Sequence, residues 1–572
     1  MDISHDSRRR RSALACNTCR ARRTKCDGQR PKCSFCVERR RDCYYQELQD
    51  LSLSPQDLEL LKIWEQLERI STLVQGQLRQ RTPSPKAQQL SCSVSNCDAP
   101  VEFPIMVLQN TAFISLLGLE RNLLVLLESQ ERAGLGISQP PCPPAVMIDP
   151  HYASLLLGAY MDHIHIWYPI LHADYTEDFF HAITSCFPPL VSSCIALVVL
   201  AVGYVAKCGT IKDTVQGRPD TMYIQAAMAM LPAVFAESSP RSAQCLLLFG
   251  TYHLCCARPY QAHDYVVMAS NRLQSYLINE YGTADDTTEV SIFQSCFWSA
   301  LLIESEIRVQ LDLVDSGIRS VASYAPVLAS SVTWTGYQPR PFESSPDCTL
   351  APSDDGSDLA YFVAEIAMRK MLPRCTYAIS TPSPGVHIYA PIVAAELERQ
   401  LDEWLQILPE SLSFQSSRSY IDSSWRNSAR AEFLQTQYYA FKASIYWPAV
   451  YEVLRTGAAN DALRHPCSSF FTSYAEFATS AAAAVTVCKP NAWTLYASMF
   501  TISMATLAAL EEPCLSEFIA LGRVSQGLTL VVEMLARVAD VSPSLGEMST
   551  RLAERVAQSR IGAIEKLATY SV

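Results

Sequence analysis

Hydrophobic residues recur on a helical period along most of this chain. From Ala112 to Glu131, Leu116, Leu117, Leu119, Leu123, Leu124 and Leu127 form an apolar stripe. After a Pro-rich break at 139–149, similar runs cover Tyr152–Ile164, Cys194–Val205, Met222–Val234, Ala243–Cys256, Val266–Leu277 and Glu289–Leu313. They resume near 357–372, 391–408, 427–455, 471–488, 491–511 and 522–540. No series of alternating strands competes, so the pattern predicts a large all-α domain over about 146–560. Glycine is scarce, 20 of 572 residues, which leaves few tight turns and favours long helices.

Two shorter patterns lie outside that body. Leu60, Ile63, Leu67, Ile70 and Val74 step by 3, 4, 3 and 4, the a/d spacing of a coiled coil, until Gln77 breaks it and Thr82-Pro83-Ser84-Pro85 ends it. This stretch fits a dimerisation helix within 49–82 or a helix packed on the body. Residues 86–105 are polar and Pro-bearing, a linker within the variable region 83–145. The uncharged stretch Thr184–Ala206 could imitate a membrane span. Pro188-Pro189 interrupts it, and the apolar run after them is at the lower limit for crossing, so a buried core helix and no membrane partner are expected.

Charge changes the picture. The chain is 18% charged with a net charge of −11. Residues 1–45 hold 13 Lys or Arg against 5 Asp or Glu, a balance of +8, so the remainder carries −19. A basic head on an acidic body is the asymmetry of a DNA-binding arm joined to a regulatory part. Met1–Arg11 is polar and ends in four arginines, which predicts no secretory leader; Arg8–Arg11 fits a nuclear import signal or a phosphate-binding arm. The 21 cysteines should be reduced: six sit in the head and the others mostly in apolar company, the adjacent Cys255 and Cys256 reading as two core side chains on a helix.

The six head cysteines are Cys16, Cys19, Cys26, Cys33, Cys36 and Cys43, spaced C-x2-C-x6-C-x6-C-x2-C-x6-C. Close C-x2-C pairs put two thiolates on one tetrahedral zinc, whereas a disulfide framework would need an oxidising compartment. Two separate sites would take eight ligands. Six serve two ions only if two thiolates bridge, and the identical spacing of the two halves suits such a pseudo-symmetric cluster. Each C-x2-C pair should open a short helix. The first, about Asn17 to Thr24, carries Arg20, Arg22 and Arg23, with Lys25 just beyond, ready for guanine O6 and N7 in a major groove or for phosphates.

The segment from Ala15 to Gly28 and its continuation Pro31-Lys32-Cys33-Ser34-Phe35-Cys36 closely resemble the fungal zinc binuclear cluster (Zn2Cys6) family. That resemblance implies Cys16 and Cys33 as bridging ligands, Cys19 and Cys26 completing one site, and Cys36 and Cys43 the other. It implies a DNA-binding domain over 1–48 with two Zn2+ per chain, Arg23 as the main base reader beside Arg22 and Lys25, and CGG-like triplets in double-stranded DNA. Arg39, Arg40 and Arg41 are expected to meet phosphates or solvent. A coiled coil after the linker is common in the family, which favours a homodimer through 60–74, with the linker setting half-site separation.

The body resembles the fungal-specific regulatory domain that follows many such clusters. The marks are Trp167-Tyr168-Pro169-Ile170-Leu171-His172, then Phe297-Trp298 leading to Ser316-Gly317-Ile318, then Glu396-Leu397 through Trp404 to Leu408-Pro409. Where that domain often carries an Arg or Asp-Arg pair after Phe-Trp, this chain has Glu304-Ser305-Glu306 and Arg308, so nothing mechanistic carries over there. His163 and His165, two apart, suit neither a zinc site nor a catalytic dyad on a helix. No phosphate-binding glycine loop, G-x-S-x-G elbow or H-E-x-x-H occurs, so no enzyme is expected. The expectation is a nuclear, fungal-type transcription factor, activator or repressor, that regulates metabolic or secondary-metabolite genes. A zinc-folded adaptor or an enzyme with an appended zinc module are the competing classes. Further partners to expect are the transcription machinery and, in a pocket of the body, a small-molecule effector. Acidic stretches such as Ser353–Asp358 or Asp174–Phe180 are candidates for recruiting that machinery.

Overall fold

A computed structural model describes residues 18, 19, 24, 32–39, 127, 129 and 146–559, the last with gaps at 173–174, 218–219, 280, 282–286, 312, 327–354, 376–378, 384–385 and 415–424. The described residues belong to two compact units, an N-terminal head and a helical body. In the head, one short helix, α1 (Ser34–Glu38), is described.

The body begins with α2 (Pro150–Tyr160). Asp149 caps it by accepting from the Tyr152 N–H at 3.0 Å, and Pro150 takes the first turn, where no backbone donor is needed. A π-helical turn, Met161–His165, follows directly. Then come α3 (Tyr175–Thr184), α4 (Val191–Lys207), α5 (Ile211–Gly217), α6 (Thr221–Ala229) and α7 (Leu231–Ala236). The predicted run Met222–Val234 is thus two helices, divided at Met230 ahead of Pro232. From Tyr175 on, the acidic candidate lies on α3, where Tyr175 and Phe179 are buried, so this stretch is part of the folded body.

Next are α8 (Pro240–Cys255), α9 (Pro259–Asn279), α10 (Thr287–Arg308) and α11 (Ile318–Val321). Ser239 and Ser242 form a reciprocal capping box at the start of α8. α12 (Asp355–Cys375) overlaps the other acidic candidate, Ser353–Asp358, at its start. The one departure from helix among the described residues is a two-stranded antiparallel hairpin, β1 (Ile379–Ser383) and β2 (Val386–Tyr389). The body closes with α13 (Pro391–Ile407), α14 (Trp425–Thr456), α15 (Asp461–Val487), α16 (Ala492–Glu511), α17 (Leu521–Val538) and α18 (Pro543–Gln558).

The centre is built from helices with no polar face. α4 buries 14 of its 17 residues and α8 buries 15 of its 16. They pack on one another, while α2 crosses α4 and α9 lies along α8. The stretch that imitates a membrane span is therefore the core helix α4. By length and composition α16 could also cross a membrane, but it is 94% buried among α15, α17 and α18. Helix α2 approaches α4 so closely that a Cβ at Gly203 would stand 2.2 Å from the Leu156 carbonyl oxygen. Lys489 joins the two halves of the body: its Nζ donates to the Ala206 carbonyl at 2.6 Å and to that of Cys208, where α4 ends with unpaired acceptors.

Candidate metal centre

Cys33 stands just before α1 in an extended conformation, and its carbonyl accepts the N–H groups of Cys36 and Val37 at 3.0 and 3.1 Å. That turn carries the Cys36 sulfur back over the Cys33 sulfur. Cys19 comes from the other half-motif, where its carbonyl accepts the Thr24 N–H at 3.1 Å. The three thiols are fully buried, and their sulfurs lie within 4.8 Å of one another. Cys19 Sγ is 3.8 Å from Cys33 Sγ and 3.9 Å from Cys36 Sγ.

These separations are too long for a disulfide, which brings sulfurs to about 2 Å. The Cys19–Cys33 separation matches the edge of a zinc-thiolate tetrahedron, about 3.8 Å for zinc-sulfur bonds of about 2.3 Å. The donor set therefore fits zinc, and no other group of three potential ligands forms among the described residues. Cys33 stands beside Cys19 of the first half-motif and Cys36 of the second. Cys16, Cys26 and Cys43 lie outside the described residues, as do Arg20, Arg22, Arg23 and Lys25 and the heptad residues Leu60, Ile63, Leu67, Ile70 and Val74.

The periodicity gave no warning of what covers the sulfurs. Phe35, half-buried, packs on the three cysteines. The Arg39 guanidinium lies over that ring, 5.5 Å from its centroid, and the Arg39 N–H donates to the Phe35 carbonyl at 3.3 Å. The only trace of this cover in the sequence is an aromatic residue inside a C-x2-C pair with an arginine four residues on.

In the body, the three tryptophan-bearing marks prove to be core staples. Trp167 donates Nε1–H to the His163 carbonyl (3.1 Å), Trp298 to that of Pro326 (3.0 Å) and Trp404 to that of Ala364 (3.1 Å). Tyr168 donates to Asn491 Oδ1 at 2.7 Å, tying the first mark to the start of α16. His163 and His165 stand in the π turn and gather no third metal ligand among the described residues. Cys255 and Cys256 are buried and form no disulfide, and burial pushes the Cys255 thiol far up, so the pair reads as core.

The acidic substitutes after Phe-Trp are anchors. Glu304, buried, accepts from the Ser316 backbone N–H (2.8 Å) and from the hydroxyls of Ser316 (2.5 Å) and Ser270 (3.2 Å), fixing the loop beyond α10. Glu306 accepts from Thr494 at 2.6 Å and pairs with Arg369, which also holds Glu365 through Nε at 2.8 Å. Arg369 is 1% exposed, and Glu365 keeps Oε2 buried without a partner. Desolvation raises the Glu365 carboxyl above the usual range; Arg369 pulls it down and Glu306 pushes it up again.

Comparison with known proteins covers both units. The model of the fungal Zn(2)-Cys(6) binuclear cluster domain matches residues 14–52, and that of the fungal specific transcription factor domain matches residues 157–308. An Aspergillus rugulosus protein, ecdB, which carries the description of a transcription factor, is 32% identical over 96% of this chain and 99% of its own length. Over the head alone, the chain is similar to the transcription factor FBD3 of Gibberella moniliformis, 55% identical over 7% of this chain and 5% of that protein. An ABC-transporter-regulating transcription factor of Aspergillus oryzae is 46% identical over 8% of this chain and 5% of its own. No solved structure matches.

Proposed function

This chain belongs to the fungal Zn(2)-Cys(6) transcription factor family, a regulator of transcription and not an enzyme, and on that premise we propose that its head holds two zinc ions on six cysteines and reads CGG-like triplets. The observation that supports the reading is the gathering of the buried sulfurs of Cys19, Cys33 and Cys36 within 4.8 Å of one another, with Cys33 beside a cysteine from each half-motif. Bound zinc supplies the cross-links that a module with so little core lacks. Cys16 and Cys33 would each serve both ions, and the cross-links would hold the helix expected after Cys16. Arg23 donates to guanine from that helix, with Arg20, Arg22 and Lys25 on neighbouring bases and phosphates.

The heptad residues Leu60, Ile63, Leu67, Ile70 and Val74 pair two chains, so that two heads meet two triplets in the nucleus. The body then acts as the pathway-specific part, serving metabolic genes, engaging the transcription machinery and taking a small-molecule effector. Three measurements test this. Metal analysis should return two zincs per chain, and one zinc would overturn the bridged cluster. Arg23→Ala should weaken binding to a CGG-containing duplex by about 1–3 kcal/mol; an equal loss on random DNA would make Arg23 a phosphate contact. Deleting residues 56–80 should weaken paired sites far more than a single triplet. Genome-wide occupancy would then supply the element, its spacing and the target genes.

A further inference from the structure

The second half-motif carries an arginine whose setting differs from that of a solvated charge. Arg39 is exposed, caps the C-terminal end of α1, and rests its guanidinium on the Phe35 ring. The ring in turn rests on the buried sulfurs of Cys19, Cys33 and Cys36. The guanidinium carbon lies 5.5 Å from the ring centroid, a cation–π contact that uses the charge and consumes none of the five N–H donors. Among the described residues those donors meet no acceptor. The cation is therefore held in place with its hydrogen-bonding edge outward.

We propose that Arg39 is a DNA-backbone contact, pre-placed by Phe35, that fixes the orientation of the head on the duplex by donating to a phosphate. A guanidinium held back on a ring at its own helix cannot extend down a major groove about 8.5 Å deep to a base edge, whereas phosphates stand at the rim. Planar, forked donors suit a phosphate oxygen pair, and a stacked side chain has less rotamer freedom to lose on binding. Charge favours the same place. Six thiolates on two zincs would carry a net charge of about −2, which repels DNA unless a cation covers it. Arg39 covers it at the point where Phe35 closes the cluster. This inference rests on the reading of the head as a DNA-binding module.

The test compares full-length wild type with Arg39→Gln, Arg39→Lys and Phe35→Leu, titrating a CGG-containing duplex and a random duplex across a range of salt, with zinc content measured for each. Arg39→Gln should weaken both duplexes about equally, by about 3- to 10-fold at physiological salt, and reduce the slope of log K against log salt by about 0.9. Arg39→Lys keeps the charge, so its slope should stay near wild type while affinity falls less. Phe35→Leu keeps an apolar cover and the arginine, so it should lose affinity with the slope retained. Loss confined to the CGG duplex would make Arg39 a base reader and overturn the proposal. So would an unchanged slope in Arg39→Gln, or a loss of zinc in proportion to affinity, which would make the stack purely structural. If wild type shows no preference for the CGG duplex, the reading of the triplet fails, yet the slope on random DNA still decides the role of Arg39.

Discussion

Replacing Arg369 by Met removes the guanidinium shared by Glu306 and Glu365 and keeps most of the side-chain volume. Glu306 then still has the Thr494 hydroxyl at 2.6 Å and the Gln437 amide at 3.4 Å, whereas Glu365 loses its bond at Oε1 and has none at Oε2. A buried carboxylate so stranded takes up a proton. The usual glutamate value is 4.5. Holding such a group protonated at pH 7.5 costs about 4 kcal/mol. Two trapped protons would set a limit of about 8 kcal/mol, but Glu306 retains donors, so a loss of about 4–5 kcal/mol is expected, near the range for a broken buried pair. The sign follows from the direction of the shift. A carboxyl raised in the folded state stabilises fully below its unfolded value, and that contribution is lost as pH rises through the folded value. The penalty in the variant should therefore shrink by about 1.4 kcal/mol per trapped proton for each pH unit descended. Glu365 is already raised in the wild type, so the difference between the two proteins is the quantity to follow. The other groups facing the site are Tyr168, Tyr361, Cys488 and Arg430; burial pushes the two phenols and the thiol well up, out of the range tested. Urea unfolding followed by far-ultraviolet circular dichroism at pH 7.5 and 5.5, with zinc constant, measures it. A loss below about 1 kcal/mol, or an equal loss at both pH values, would refute the reasoning.

Other changes report on other joints. Gly203→Ala puts a methyl 2.2 Å from the Leu156 carbonyl oxygen, so α2 and α4 must separate, and a loss of about 2–3 kcal/mol in the same unfolding assay is expected. Lys489→Met strips the end of α4 of its charged donor and should cost about 1.5–3 kcal/mol; a melting temperature equal to wild type would show that water replaces it. Cys33→Ala should remove zinc from the head and abolish DNA binding while the melting of the body stays where it was, as read by metal analysis and calorimetry. Chelation of the wild type should give the same pair of results.

Long helices with one apolar face were legible because burial of a face leaves a 3.6-residue trace, as in α9 and α13. Starts were less legible: α15 begins at Asp461, capped by Asn460, ten residues before the expected run at 471 and with Pro466 inside it. A proline early in a helix costs little backbone bonding. The charged first turn of α3 hid its buried Tyr175 and Phe179, and α18 carries too few apolar residues, Leu545, Met548 and Leu552, to mark a run. Pro382 concealed the hairpin. Glu365 and Arg369, four apart, have the spacing of a surface pair, and only packing from α10, α13 and α14 buries them. In the head, cysteine spacing pointed to a metal group because tetrahedral geometry restricts the intervals, and among the described residues Cys19, Cys33 and Cys36 do come together. The Phe35 cover did not, since one aromatic residue has no period.

The apolar helix α16 also has a meaning for how this protein is made. It comes late in the chain: Glu306, Tyr168 and Gln310 leave the ribosome long before Thr494, Asn491 and Ser498, the groups that bond them. Until then the earlier helices wait with an open seam. A chain halted between Thr456 and Ala492 would keep that seam permanently, with Glu306 held by Arg369 and Gln437 but lacking the Thr494 hydroxyl, and the greasy lining of a missing helix facing water. The zinc head needs none of these partners. Quality control of the nascent chain must therefore act on the body, since a faulty copy could still carry a finished head.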